Sequence, residues 1–145
     1  MKRKTIIFLS LMILSAACFF APSTSAGTEL DQNISGKYLR ETEEERAELE
    51  IKVLPYRRVH VTGISDWGTT QGYGPNIGEL DFVAELRNGR IIYSEKIGKG
   101  QYYKLKLTPK KNSLSAKEQG GPAKFGMNVT FAGEYKKKVT ERGHR

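Results

Sequence analysis

Apolar and polar residues alternate along much of the chain, and the clearest run is Phe125 to Tyr135. Val129, Phe131, Gly133 and Tyr135 fall on one face, and Asn128, Thr130, Ala132 and Glu134 on the other. A period of two marks a strand with one face in a core and the other in water. Gln119-Gly120-Gly121-Pro122 breaks the chain before it, and the pattern stops at Lys136-Lys137-Lys138. The stretch therefore reads as the closing strand of a β-domain, and the chain before it has to supply the sheet.

The same period recurs upstream. Gly36 to Arg40 is a short first strand, and Glu41 to Glu45 a solvated acidic turn without the spaced ligands of a calcium loop. From Arg46 to Leu54, Ala47, Leu49, Ile51 and Val53 face in while Arg46, Glu48, Glu50 and Lys52 face out. Pro55-Tyr56 turns the chain, and Arg57 to Gly63 returns with Val59 and Val61 inward. Gly63 to Gly78 carries Gly68, Gly72 and Gly74 as well, and reads as a loop holding Trp67 and Tyr73. Glu79 to Arg87 alternates again, with Leu80, Phe82, Ala84 and Leu86 on one face. Asn88-Gly89 is a two-residue hairpin turn, followed by Arg90 to Glu95. Tyr103, Leu105 and Leu107 alternate with lysines up to Pro109, and Leu114 and Ala116 mark a short strand before the closing one. No segment has helical periodicity. The expectation is an all-β fold, a single antiparallel up-and-down barrel of about eight strands, which by closing removes its exposed edges.

The N-terminus changes the picture. Lys2-Arg3-Lys4 precedes an apolar run from Ile6 to about Phe20, interrupted too often to span a membrane, and the pattern is that of an export signal. Cleavage after Ala26 suits Ser23-Thr24-Ser25-Ala26. Leu14-Ser15-Ala16-Ala17-Cys18 instead resembles a lipobox, which makes Cys18, the one cysteine in the chain, a lipid attachment site. That lipoprotein form is the expectation carried forward, with secretion after Ala26 as its alternative. The organisation is then 1–26 export signal, 27–35 tether, 36–135 barrel and 136–145 basic tail. No disulfide forms within the domain, so stability has to come from burial. Removing Lys2, Arg3 and Lys4 takes the net charge of the 145 residues from +8 to +5. A balance so mildly basic is no nucleic-acid footprint, and the basic tail reads first as a solvated terminus and second as a contact for anionic lipid or wall polymer.

Leu80-Asp81-Phe82, Asn88-Gly89-Arg90, Leu105-Lys106-Leu107, Phe125 to Phe131 and Gly133-Glu134-Tyr135, in that order, resemble small exported bacterial proteins of the calycin type, including lipoproteins of Gram-positive bacteria distantly similar to lipocalins. Gly36-Lys37-Tyr38 stands where lipocalins open with Gly-x-Trp. The resemblance implies a barrel and a non-enzymatic binding module at the bacterial cell surface, holding a small apolar or amphipathic ligand. The alternative is an interaction or inhibitor module acting on another exported protein such as a wall hydrolase.

Candidate chemistry is sparse. His60 lies on an outer face and His144 near the end, without a nucleophile elbow or a mature-chain cysteine to serve them, so no enzyme is expected. Clustered metal ligands are missing too, so neither metal nor cofactor is expected. Trp67 and Tyr73 on the glycine-rich loop, with Phe82 and Tyr103, are the candidate ligand-binding residues, because amphipathic aromatics suit a barrel mouth or a partner surface. Trp67 has a second reading, as a plug of one barrel end. A monomer is expected.

Overall fold

In the computed structural model, residues 33–68 and 75–139 are described. The export signal with Cys18 and Ala26, Tyr73, and the tail from Thr140 lie outside the described residues. The strands are β1 (Gly36–Glu41), β2 (Glu45–Leu54), β3 (Arg58–Trp67), β4 (Asn76–Arg87), β5 (Arg90–Lys96), β6 (Tyr102–Pro109), β7 (Ser113–Gln119) and β8 (Gly133–Lys137), with a short helix α1 (Gly121–Phe125) before the last. Each strand pairs antiparallel with the next, and β8 pairs back on β1 through Tyr38↔Lys137 and Leu39↔Lys136. The architecture is the expected closed up-and-down barrel of eight strands.

Alternation explains the core. Leu49, Ile51, Val59, Val61, Leu105, Leu107, Phe131 and Tyr135 point inward and are buried, as are Leu80, Phe82 and Leu86 from β4. Each such side chain contributes about 1.5–3 kcal/mol by leaving water. Tyr38 is fully buried, and its hydroxyl donates to the carbonyl of Ile34 at 2.7 Å, which draws Ile34 under the lower barrel end. At the β4–β5 hairpin, Asn88 (φ 50) and Gly89 (φ 69) both take positive φ. That is the type I′ turn, whose twist matches the strands it joins.

Two readings of the sequence are corrected. Gly63 and Gly78 do not open and close a loop: β3 continues to Trp67 and β4 starts at Asn76, paired residue for residue. A Cβ on Gly63 would stand 2.6 Å from Leu49 Cδ2 and 3.0 Å from the Phe131 ring. One on Gly78 would stand 2.7 Å from Val129 Cγ1. These glycines thin the strands where they cross bulky core groups.

The second correction concerns Phe125 to Tyr135. Only Gly133–Lys137 is strand, while Gly121–Phe125 is helix. Gly126 (φ 91) and Asn128 (φ 69) turn the chain out of the sheet. Val129 and Phe131 are still buried, so the inward face is kept without a ladder. Side chains take over the main-chain bonding. Glu118 Oε2 accepts from Phe131 N at 2.5 Å, Ala132 N at 3.0 Å and Thr130 Oγ1 at 2.7 Å. The Thr130 carbonyl accepts from Arg40 at 2.9 Å and Ser65 at 2.8 Å.

Candidate functional site

The upper barrel end gathers the ends of β1, β3, β5 and β7, the starts of β2, β4 and β6, and α1. The helix forms between Gly120 (φ 79) and Gly126, with Pro122 in its first turn and the Gly126 N–H closing on the Pro122 carbonyl at 3.1 Å. It brings Phe125 edge-on to Tyr103 and to Phe131, both at 5.2 Å between ring centroids. Tyr103 meets Tyr93 at 6.2 Å, and Tyr93 stacks on Phe82 at 4.1 Å. Five rings thus run in a chain from the mid-barrel to the mouth.

Lys124 seals this chain from above. Its ammonium lies 4.9 Å from the Tyr103 ring centre, 5.5 Å from that of Phe125 and 5.6 Å from that of Tyr93, and it pairs with Glu95. The Tyr93 hydroxyl also donates to Glu95, at 2.7 Å. The Lys124 hydrogen bond, then that of Tyr93, holds the Glu95 carboxyl below the usual carboxylate range. Burial first, then the hydrogen bond to Glu95, pushes the Tyr93 phenol up to about 12. The Tyr103 phenol is driven higher still, by burial and by the charge of Glu118.

Across the mouth, Arg40 is only 12% exposed, bonds Glu45 at 2.5 Å and lies 5.8 Å from the Tyr135 ring centre. Burial raises the Tyr135 phenol to about 12 against the opposing pull of Arg40. Among the described residues, the buried atoms Tyr103 Oη, Glu118 Oε1, Arg40 Nε and Asp66 Oδ1 lack a partner.

Of the four candidate binding residues, Phe82 and Tyr103 belong to the aromatic chain, both buried and linked through Tyr93. Trp67 stands at the rim, closing β3 opposite Glu45 and Asn76, and is partly exposed. Tyr73 lies outside the described residues. Reading the sequence missed Lys124, Glu118 and Arg40. Lys124 alone had a signal, Lys-Phe after Gly-Gly-Pro-Ala. His60 is on the outer face as expected, with Nε2 2.7 Å from Asp81 Oδ1.

Roomy depressions lie on the outer surface. A groove of about 550 Å³ crosses β2, β3 and β4 between Glu48, Glu50, Thr62, Ile64, Glu79 and Asp81. Another of about 550 Å³ follows β4 and β5. A third, of about 360 Å³, sits at the mouth beside Glu118, Asn128 and Thr130. Among the described residues no group of three or more His, Cys, Asp or Glu is arranged to hold a metal ion. Comparison of the chain with protein-family models, curated proteins and solved structures finds no match.

Proposed function

We propose that the chain is an exported, non-enzymatic binding module that recognises another exported protein through its outer surface. The observation that carries this reading is the aromatic chain packed under α1 among the described residues. α1 wedges Phe125 between Tyr103 and Phe131, and Lys124 covers the rings. A site for an apolar ligand is normally a preformed, mostly apolar concavity, whereas here the largest depressions described are shallow outer grooves flanked by charge. The calycin resemblance, with its implied export and cell-surface setting, supports the same role.

A second reading, a small amphipathic ligand admitted when α1 lifts, is favoured by one observation. Among the described residues, Tyr103 Oη and Glu118 Oε1 are buried without partners beside a helix bracketed by Gly120 and Gly126. Trp67 at the rim reports on this. Titrating the protein with fatty acids and with a lipid extract is expected to leave Trp67 fluorescence unchanged. A saturable exported partner is expected to bind equally to the protein and to its Phe125→Ala variant. A stoichiometric spectral shift with any lipid overturns the surface reading in favour of the ligand.

Export itself is read from the mature N-terminus. Mass spectrometry is expected to find it beginning at a diacylated and N-acylated Cys18. A first residue of Gly27 leaves export standing and removes the anchor.

A further inference from the structure

We propose that the lower barrel end is a docking face for an anionic phospholipid bilayer. The face is additional to partner recognition and takes from the reading above only the anchored N-terminus. At this end β2 turns into β3, β4 into β5 and β6 into β7, and the described chain enters the barrel at Asn33. The three hairpins present Arg57 and Arg58, Arg87 and Arg90, and Lys110 and Lys111, all exposed. No acidic residue stands in 54–58, 87–90 or 109–112.

Main-chain contacts join these hairpins into one face. Leu86 N–H donates to the Arg57 carbonyl at 2.7 Å, which ties the first hairpin to the end of β4. Asn33, Ile34, Leu86, Gly89, Lys110 and Lys111 meet around a dimple of about 70 Å³. Lys137 reaches from β8 to the Asn33 carbonyl. Two carboxylates come near this rim. Glu85 stands opposite Arg58 in the ladder and pairs with Arg87 at 2.5 Å, and Glu134 lies 3.6 Å from Lys110. No ion pair among the described residues involves Arg57, Arg90 or Lys111. By sequence, 27–32 and 140–145 add three acidic and two basic residues, too few to reverse the sign. The upper end is mixed instead, with Glu43 and Glu44 between β1 and β2 and Lys99 between β5 and β6.

An aromatic side chain says what kind of anionic surface fits. Tyr56 tips the β2–β3 hairpin and is 90% exposed. Tyr56 (φ 62) and Arg57 (φ 55) both take the left-handed conformation, which glycine adopts freely and bulky side chains adopt at a cost. Asn88-Gly89 turns the next hairpin without that cost, so the strained Tyr-Arg pair is there for its side chains. A tyrosine among arginines and lysines suits the boundary between headgroups and acyl chains, with its ring on the apolar side and its hydroxyl on the wet side. The cations beside it meet lipid phosphates. A soluble anionic polymer would use the charges and leave the ring idle. Cys18 lies fifteen residues before Asn33, a reach of at most about 50 Å. Once acylated, it draws the lower end toward the bilayer and leaves the mouth facing outward.

Residues 27–145 contain the whole barrel and no acyl chain, and are titrated with lipid vesicles. Binding is expected to mixed phosphatidylglycerol and phosphatidylcholine vesicles at low salt. It is expected to fall at least about tenfold on pure phosphatidylcholine, and again at about 1 M salt, where the screening length shrinks to about 3 Å. Equal binding to pure phosphatidylcholine, or none to either, overturns the proposal, and capture of an exported partner by the same protein still leaves the surface-recognition reading standing. Arg57→Gly, Arg90→Ser and Lys111→Ser together are expected to weaken vesicle binding about a hundredfold, at about fivefold per charge. Lys96→Ser, Lys99→Ser and Lys104→Ser remove the same charge from the other end and are expected to weaken it less than about threefold. Equal losses overturn the face in favour of net charge. Arg57→Gly by itself relieves the backbone and is expected not to lower the melting temperature, so its weaker binding is not unfolding. Brominated phosphatidylglycerol is expected to leave Trp67, at the opposite rim, unquenched and to quench the added indole of Tyr56→Trp. Quenching of Trp67 in the unaltered protein would put the mouth on the membrane, and overturns the proposal. Soluble polyphosphate bound as tightly as the vesicles, and equally by Tyr56→Gly, overturns the bilayer in favour of an anionic polymer.

Discussion

Phe131→Asp is expected to abolish the cooperative unfolding transition in urea. Phe131 is fully buried, packs edge-on to Phe125 at 5.2 Å and stands against the bare Cα of Gly63. The substitution removes about 1.5–3 kcal/mol of apolar burial. It also places a carboxylate where the neighbouring groups are aromatic and aliphatic. Leaving a charge there unpaired costs several kcal/mol more, or forces the acid to bind a proton. The sum is comparable with the whole stability of a domain this size, about 5–15 kcal/mol. Glu134→Ala, on the outer face of β8, serves as the control and is expected to change stability by less than about 0.5 kcal/mol. A melting transition for Phe131→Asp matching that of the parent would mean that residues 129–131 do not face the core.

The barrel was legible because a strand with one wet face records its orientation at every residue. Leu49, Ile51, Val61, Phe82, Leu86 and Leu105 all lie on the face that the alternation assigned them. Asn88-Gly89 announced its hairpin because few other pairs take positive φ twice. What was not legible depends on contacts between residues far apart in the chain. Gly63 and Gly78 look like loop glycines until Leu49, Val129 and Phe131 arrive from elsewhere to need the space. The alternation of Val129, Phe131 and Tyr135 is real, but it reports burial and not pairing. Glu118, Arg40 and Ser65 satisfy the main chain there, and nothing in residues 125–132 announces them. A five-residue helix is too short to display a helical period, so α1 and its Lys124 went unread. For the same reason the packing of Phe125 against Tyr103 and Phe131 could not be foreseen from Trp67, Phe82 and Tyr103 alone. The pairing of β4 with β5 is the subtlest case, because both strands carry sound alternation and yet only Leu86↔Ile91 and Arg87↔Arg90 pair.

Raising the pH above 10 is expected to destabilise the barrel steeply. The phenols of Tyr38, Tyr93, Tyr103 and Tyr135 are all raised above their ordinary value of 10.0, chiefly by burial. A raised folded value means that the folded chain keeps these protons after the unfolded chain has begun to lose them. Above pH 10 the unfolded state binds fewer protons, so the unfolding free energy falls as pH rises. The contribution is fully present below pH 10 and is lost as pH climbs through about 12 for Tyr93 and Tyr135, and beyond that for Tyr103. Each buried phenol takes away about 1 kcal/mol per pH unit in that window. Tyr103 and Tyr135, both fully buried, together remove roughly 4 kcal/mol between pH 10 and pH 12. Tyrosinate absorbance and the far-UV strand signal, followed together, are expected to change in one cooperative step. Tyr103→Phe should move that step to higher pH. It should cost little at neutral pH, because the hydroxyl it removes is buried without a partner, and deleting such a group spares its desolvation. Smooth ionisation of all the tyrosines with the strand signal intact at pH 12 would show that the upper end of the barrel opens to water, and that the aromatic chain under α1 is not sealed.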